Sequence, residues 1–145
     1  MKKHLKIFLP LLVCILISSL AIIFGKYKYT TINTPAFSLP NYIFIIVWSI
    51  IYALMYYTMY TCLDSKKIYL QYLLILISHT LWNVLFFILG YFLVALVLLF
   101  IIYFLSFVFV YFISQIKKKL FYVNLIYLVW LMIAIYLNFG VALLN

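Results

Sequence analysis

Hydrophobic positions fill this chain in long runs, and polar residues mark the gaps between them. Residues 7–25, 29–63, 68–116 and 120–145 contain no Lys, Arg, Asp or Glu. A helix rises about 1.5 Å per residue and the hydrocarbon core of a bilayer is about 30 Å thick, so roughly 20 apolar residues make one crossing. The runs therefore predict helices over about 5–25, 41–62, 68–89, 91–115 and 120–144, with the third and fourth cut from one run at Gly90. Pro35 and Pro40 set the segment 25–40 apart as an irregular loop. Runs this long exclude barrel strands of about ten alternating residues, and backbone amides in lipid need partners within the segment. The expected fold class is all-α: a single membrane domain over 1–145, an integral bundle of five transmembrane helices.

Composition strengthens this picture, with 72% hydrophobic and 22% aromatic residues. The net charge of +9 would fit nucleic acid in a soluble protein, but all ten lysines lie at the ends of the expected spans. Nucleic acid is therefore not an expected partner, and the lipid bilayer is. Lys2, Lys3, Lys6, Lys66, Lys67, Lys117, Lys118 and Lys119 fall at one end of a five-span bundle, and only Lys26 and Lys28 at the other. The positive-inside rule then puts the N-terminus in the cytoplasm and the C-terminus outside. Tyr27, Tyr29, Tyr42, Tyr69, Tyr72, Tyr91, Tyr111 and Tyr122 lie near span ends, where an amphipathic ring anchors at the headgroups. The first apolar run follows lysines, as a signal peptide would, but is longer than such a peptide's core and reads as a span. Lysine without arginine, and abundant Ile, Tyr, Asn and Phe, suggest an AT-rich bacterial genome and hence a plasma membrane.

Little catalytic chemistry is visible. The one acidic side chain, Asp64, lies in a lysine-flanked loop, so paired-carboxylate hydrolysis and an intramembrane carboxylate relay have no residues to use. His4 and His79 alone make no metal site, and Cys14 and Cys62 make neither a C-x-x-C motif nor a disulfide framework. Polar groups inside the spans gather in the third: Ser78, His79, Thr80 and Asn83, with Trp82 among them. They must find partners at that depth, either as hydrogen bonds between helices or as the wall of a cavity. Trp48, Trp82 and Trp130 each belong to a stripe at helical spacing: Phe44, Trp48, Tyr52 and Met55; His79, Trp82 and Phe86; Tyr127, Trp130, Ala134, Leu137 and Asn138. Such stripes can interlock as packing, or enclose an aromatic pocket for a flat apolar ligand.

At these residues the chain resembles the tryptophan-rich sensory protein and translocator protein family (TspO/MBR, the peripheral benzodiazepine receptor family). Residues 28–40, KYTTINTPAFSLP, are similar to the family's loop pattern W-Y-x-x-L-x-K-P-x-W-x-P-P, keeping Tyr29, Pro35 and Pro40, with Ile32 and Phe37 as close replacements. VWSIIYALM at 47–55 is similar to V-W-x-x-L-Y-x-x-M, and HTLWNVLFF at 79–87 to N-x-x-W-x-x-x-F-F. IYLVWLMIAIYLN at 126–138 is similar to P-Y-x-x-W-x-x-x-A/T-x-x-L-N. The departures are Lys28 for a Trp, Thr34 for a Lys, Leu39 for a Pro, His79 for an Asn and Ile126 for a Pro, and they bear on ligand preference more than on fold.

The resemblance implies a five-helix bundle, commonly a homodimer. It also implies a pocket for a small apolar ligand, a porphyrin or other haem-type tetrapyrrole, with no cofactor required. Carried across, the ligand-binding residues are Phe44, Val47 and Trp48, His79 and Trp82, and Trp130, Ala134, Leu137 and Asn138, with His79 and Asn138 supplying hydrogen bonds. The loop 25–40, with Pro35, Phe37 and Pro40, would be a lid. Three functions compete: a receptor or carrier of porphyrin-like ligands with a regulatory downstream effect; a photo-oxidative enzyme degrading them; and the substrate-binding membrane subunit of a larger transporter.

Overall fold

The computed structural model describes residues 2–145, and among them are five helices long and apolar enough to cross a membrane, with no strand. They are α1 (Lys2–Phe24), α2 (Asn41–Cys62), α3 (Lys66–Asn83), α4 (Phe92–Ile116) and α5 (Lys118–Leu144). Neighbours around the bundle run α1, α2, α5, α4, α3 and back to α1. The contact of α4 with α5 is the most extensive, and α2 touches its neighbours least.

Each helix buries one stripe. In α1 it is Ile7, Leu11, Cys14, Ser18 and Ala21, alternating steps of four and three that keep one face against α2 and α3. This packing makes α1 an integral part of the bundle. The opposite faces carry large exposed apolar side chains such as Leu16, Phe100 and Phe104. In water those surfaces would aggregate; in a bilayer they are solvated by acyl chains.

Pro10, inside α1, cannot donate a backbone hydrogen bond to the Lys6 carbonyl. The Tyr69 hydroxyl of α3 donates to that carbonyl at 3.2 Å, and Tyr72 donates to the next, Ile7, at 2.8 Å. Tyr72 is completely buried, so it is a tie between helices and not the headgroup anchor its position suggested. Further ties join α5 to α2 (Asn124 Nδ2 to Thr58 Oγ1, 2.9 Å) and α3 to α1 (Asn83 Nδ2 to Ser18 Oγ, 3.1 Å).

The end of α3 departs from a simple helix. Residues Val84–Leu89 form a π-helical turn, and Gly90 closes it with φ 68° and ψ 23°. A side chain is strained at that φ, and a Cβ there would also meet the Tyr27 ring at 2.5 Å. The wider π winding leaves the Phe87 carbonyl free to accept from Tyr27 N at 2.7 Å, which ties the start of the α1–α2 loop to α3. That loop then makes a short 3₁₀ turn at Tyr29–Thr31. Its far part is held by α5. Asn33 N donates to Asn145 Oδ1 at 3.0 Å, Asn145 Nδ2 donates to Asn33 O at 2.9 Å, and Pro35 packs so closely on Gly140 that a Cβ there would lie 2.7 Å away.

The candidate ligand cavity

The loosely packed upper half of α2 leaves a space between it, α1, the end of α3 and α5. Lower down, Ile51, Met55, Thr58 and Met59 of α2 are buried, but Phe44, Val47 and Trp48 are only half-buried. The resulting cavity measures about 290 Å³, close to the lower end of the range of about 300–1,000 Å³ for small-molecule sites. Its wall is almost wholly apolar and aromatic. Phe44 and Trp48 come from α2, Trp82 from α3, Phe86 and Phe87 from the π turn, and Trp130, Ala134, Leu137 and Asn138 from α5.

Edge and tilted contacts fix the rings. Tyr29 meets Phe44 at 5.1 Å between centroids, Phe44 meets Trp130 at 5.6 Å and 73°, and Trp82 meets Phe86 at 5.3 Å. Such pairs hold ring planes through quadrupole complementarity and leave a shaped gap instead of collapsing into it. Ile22 of α1 and Ile45 of α2 also line the cavity, and both are exposed.

The polar groups of the third span do both things the sequence left open. His79 Nε2 lies 2.7 Å from Tyr127 Oη, and Ser106 Oγ lies 2.9 Å from the same oxygen and 2.7 Å from Ile102 O. A serine hydroxyl has one proton. With it on the Ile102 carbonyl, Tyr127 donates to Ser106 and accepts from His79 Nε2–H. Trp82 Nε1 donates to Asn138 Oδ1 at 2.9 Å, and Asn138 Nδ2 donates to the Phe92 carbonyl at 2.9 Å. Asn83, tied to Ser18, lines the cavity as well.

Phe44, Trp48, Trp82, Trp130, Ala134, Leu137 and Asn138 thus meet around one space, whereas two of the expected ligand-binding residues do not line it. His79 is fully buried one helical turn below Trp82, behind Trp48, whose ring stands against it at 4.9 Å and 84°. It ties α3 to α5 and is not a hydrogen-bond donor to the cavity. Val47 is turned by about 100° from Trp48, as consecutive helical residues are, and packs on the core. Asn138 is at the wall, but its amide is committed to Trp82 and Phe92.

The lid residues are also displaced. Pro35 rests on Gly140, Pro40 precedes the first turn of α2, and Phe37 is 82% exposed. The part of the loop that lines the cavity is instead Lys28, Tyr29 and Thr30, at the 3₁₀ turn. Phe86 and Phe87 sit side by side in the wall through the π winding, which spaces consecutive residues more tightly around the axis than an α-helix does. Helical periodicity pointed to Phe86 and missed Phe87, which only the F-F of the family pattern picked out.

Among the described residues no cluster of three or more His, Cys, Asp or Glu could hold a metal ion. The chain matches the TspO/MBR family profile over residues 7–144, nearly its whole length. No individual curated protein matches it. With five membrane-length helices and a family match from end to end, the chain belongs to the TspO/MBR family and is a multi-pass integral membrane protein.

Proposed function

We propose that this protein is a translocator-type membrane receptor or carrier that binds a porphyrin or a similar flat, mostly apolar ligand in the cavity between α1, α2, α3 and α5. One observation carries the reading: three tryptophans and three phenylalanines from α2, α3, the π turn and α5 line a single space. Indole and phenyl faces bind flat rings by stacking and by excluding water. Entry past the exposed Ile22 and Ile45 would suit a ligand that dissolves in lipid first. In this reading the protein lies in a bacterial plasma membrane as a homodimer, with its lysine-rich end in the cytoplasm and the cavity toward the outside.

The test is quenching of tryptophan fluorescence by protoporphyrin IX in protein held in phosphatidylcholine nanodiscs. Saturable quenching by the wild type, and its loss at Trp82 in a Trp48→Leu, Trp130→Leu double variant that keeps its helical circular dichroism, is the expected result. Equal quenching in the variant would mean that porphyrin merely partitions into the disc. Counting porphyrin consumed per chain under light separates carriage from turnover: more than one molecule per chain would favour the enzymatic reading.

A further inference from the structure

The cavity wall contains a cation, Lys28, and no acidic residue. The chain's single carboxylate side chain, Asp64, sits in the turn between α2 and α3 at the opposite end of the bundle. The neighbouring Lys26 rests over the Tyr27 ring at 5.3 Å, whereas among the described residues no ring or carboxylate takes up the Lys28 ammonium.

Two further donors lie in the same wall. Trp130 is 5% exposed, and among the described residues its indole N–H and the Tyr29 hydroxyl have no hydrogen-bond partner, but both atoms are shut off from the open space of the cavity. Phe44 stands between these two residues, in contact with both rings. Asn41, which begins α2, also lines the cavity, and no side chain caps the first turn there, so the positive end of that helix dipole faces the same region. Neither the Trp130 nor the Tyr29 donor is placed to meet a ligand, which leaves the Lys28 ammonium as the charge that a ligand in the cavity could meet.

We infer that the cavity selects flat apolar ligands bearing a carboxylate, with Lys28 as counter-ion beside the first turn of α2. This rests on the reading of the cavity as a site for porphyrin-like rings, and gives that ligand class its polar end. The macrocycle lies among Trp48, Trp82 and Phe86, and the acid group is held at the loop, where Lys28 is partly hydrated and its desolvation is cheap.

Protoporphyrin IX and its dimethyl ester share one ring and differ in charge, so their ratio of dissociation constants isolates the acid group. In zwitterionic phosphatidylcholine nanodiscs the diacid is expected to bind about tenfold more tightly than the ester, the scale of a hydrogen bond to a charged group. The ratio should fall to about one in Lys28→Gln and persist in Lys26→Gln; in the wild type it should shrink as salt is raised. Lys28 is exposed on a loop, so the substitution leaves the fold intact. Saturable binding of both ligands with a wild-type ratio near one, or a ratio unchanged in Lys28→Gln, would overturn the inference while leaving the porphyrin reading standing. Failure of both ligands to saturate would overturn both.

Discussion

Asn138 sits in the cavity wall with its amide already occupied, accepting from the Trp82 indole and donating to the Phe92 carbonyl. The same economy holds for His79, which the pattern of polar residues marked as important without saying for what. Its ring is fully buried, and among the described residues Tyr127 is the one hydrogen-bond partner of that ring. Tyr127→Phe should therefore cost about 1 kcal/mol, the scale of hydrogen bonds between membrane helices, read as the unfolding midpoint of the purified protein in detergent. An unchanged midpoint would mean that the pair adds nothing. Gly140 works through what it lacks. A methyl at this position would press on Pro35 at 2.7 Å, so Gly140→Ala should loosen the loop and speed ligand dissociation several-fold. Stopped-flow release of bound porphyrin measures this, and an unaltered rate would show that the loop's seat on α5 does not govern exit.

At the scale of elements, the breaks in the helices are as informative as the helices. Pro10 frees a carbonyl that Tyr69 of α3 takes up, so the two residues should be energetically coupled. Tyr69→Phe is expected to destabilise the wild type but not a Pro10→Ala background, with a coupling of about 1 kcal/mol. Additive effects in that double-mutant cycle would contradict the pairing. The π turn at Val84–Leu89 is a break of another kind. The five apolar runs and their order could be read directly, because a membrane span imposes length and charge exclusion on every residue within it. A π turn imposes neither. It changes only which side chains face inward, and so the place of Phe87 beside Phe86 lay beyond any pattern of threes and fours. The loop was hidden for a similar reason. Pro35 and Pro40 marked its irregularity, but the Asn33–Asn145 pairing that holds it joins residues 112 apart in sequence, and only the folded chain brings them together. The wall residues that could be read, such as Trp48, Trp130, Ala134 and Leu137, lie on regular helices where spacing determines facing.

For the whole molecule, asymmetry is the organising feature. Eight of the ten lysines and the turn bearing Asp64 gather at one end, where Lys67 lies 3.6 Å from the Phe112 ring centroid and Lys3 lies over Tyr60 at 5.1 Å. The cavity, the clasped loop and the π turn gather at the other. If the positive-inside rule governs insertion, Ser38→Cys should react with an impermeant maleimide applied to intact cells, and Lys118→Cys only after the membrane is opened; native Cys14 and Cys62 are buried and should stay silent. The reverse pattern would place the cavity on the cytoplasmic side. The central claim is that the space between α2 and α5 receives a ligand, and filling it tests this most directly. Ala134 lines the cavity on α5, so Ala134→Phe puts a ring where the ligand would stack and leaves all three tryptophans as reporters. In nanodiscs, with helicity and unfolding midpoint showing the variant folded, the account predicts saturable protoporphyrin quenching for the wild type and at least a tenfold loss of affinity for Ala134→Phe; equal affinity in the two would contradict it.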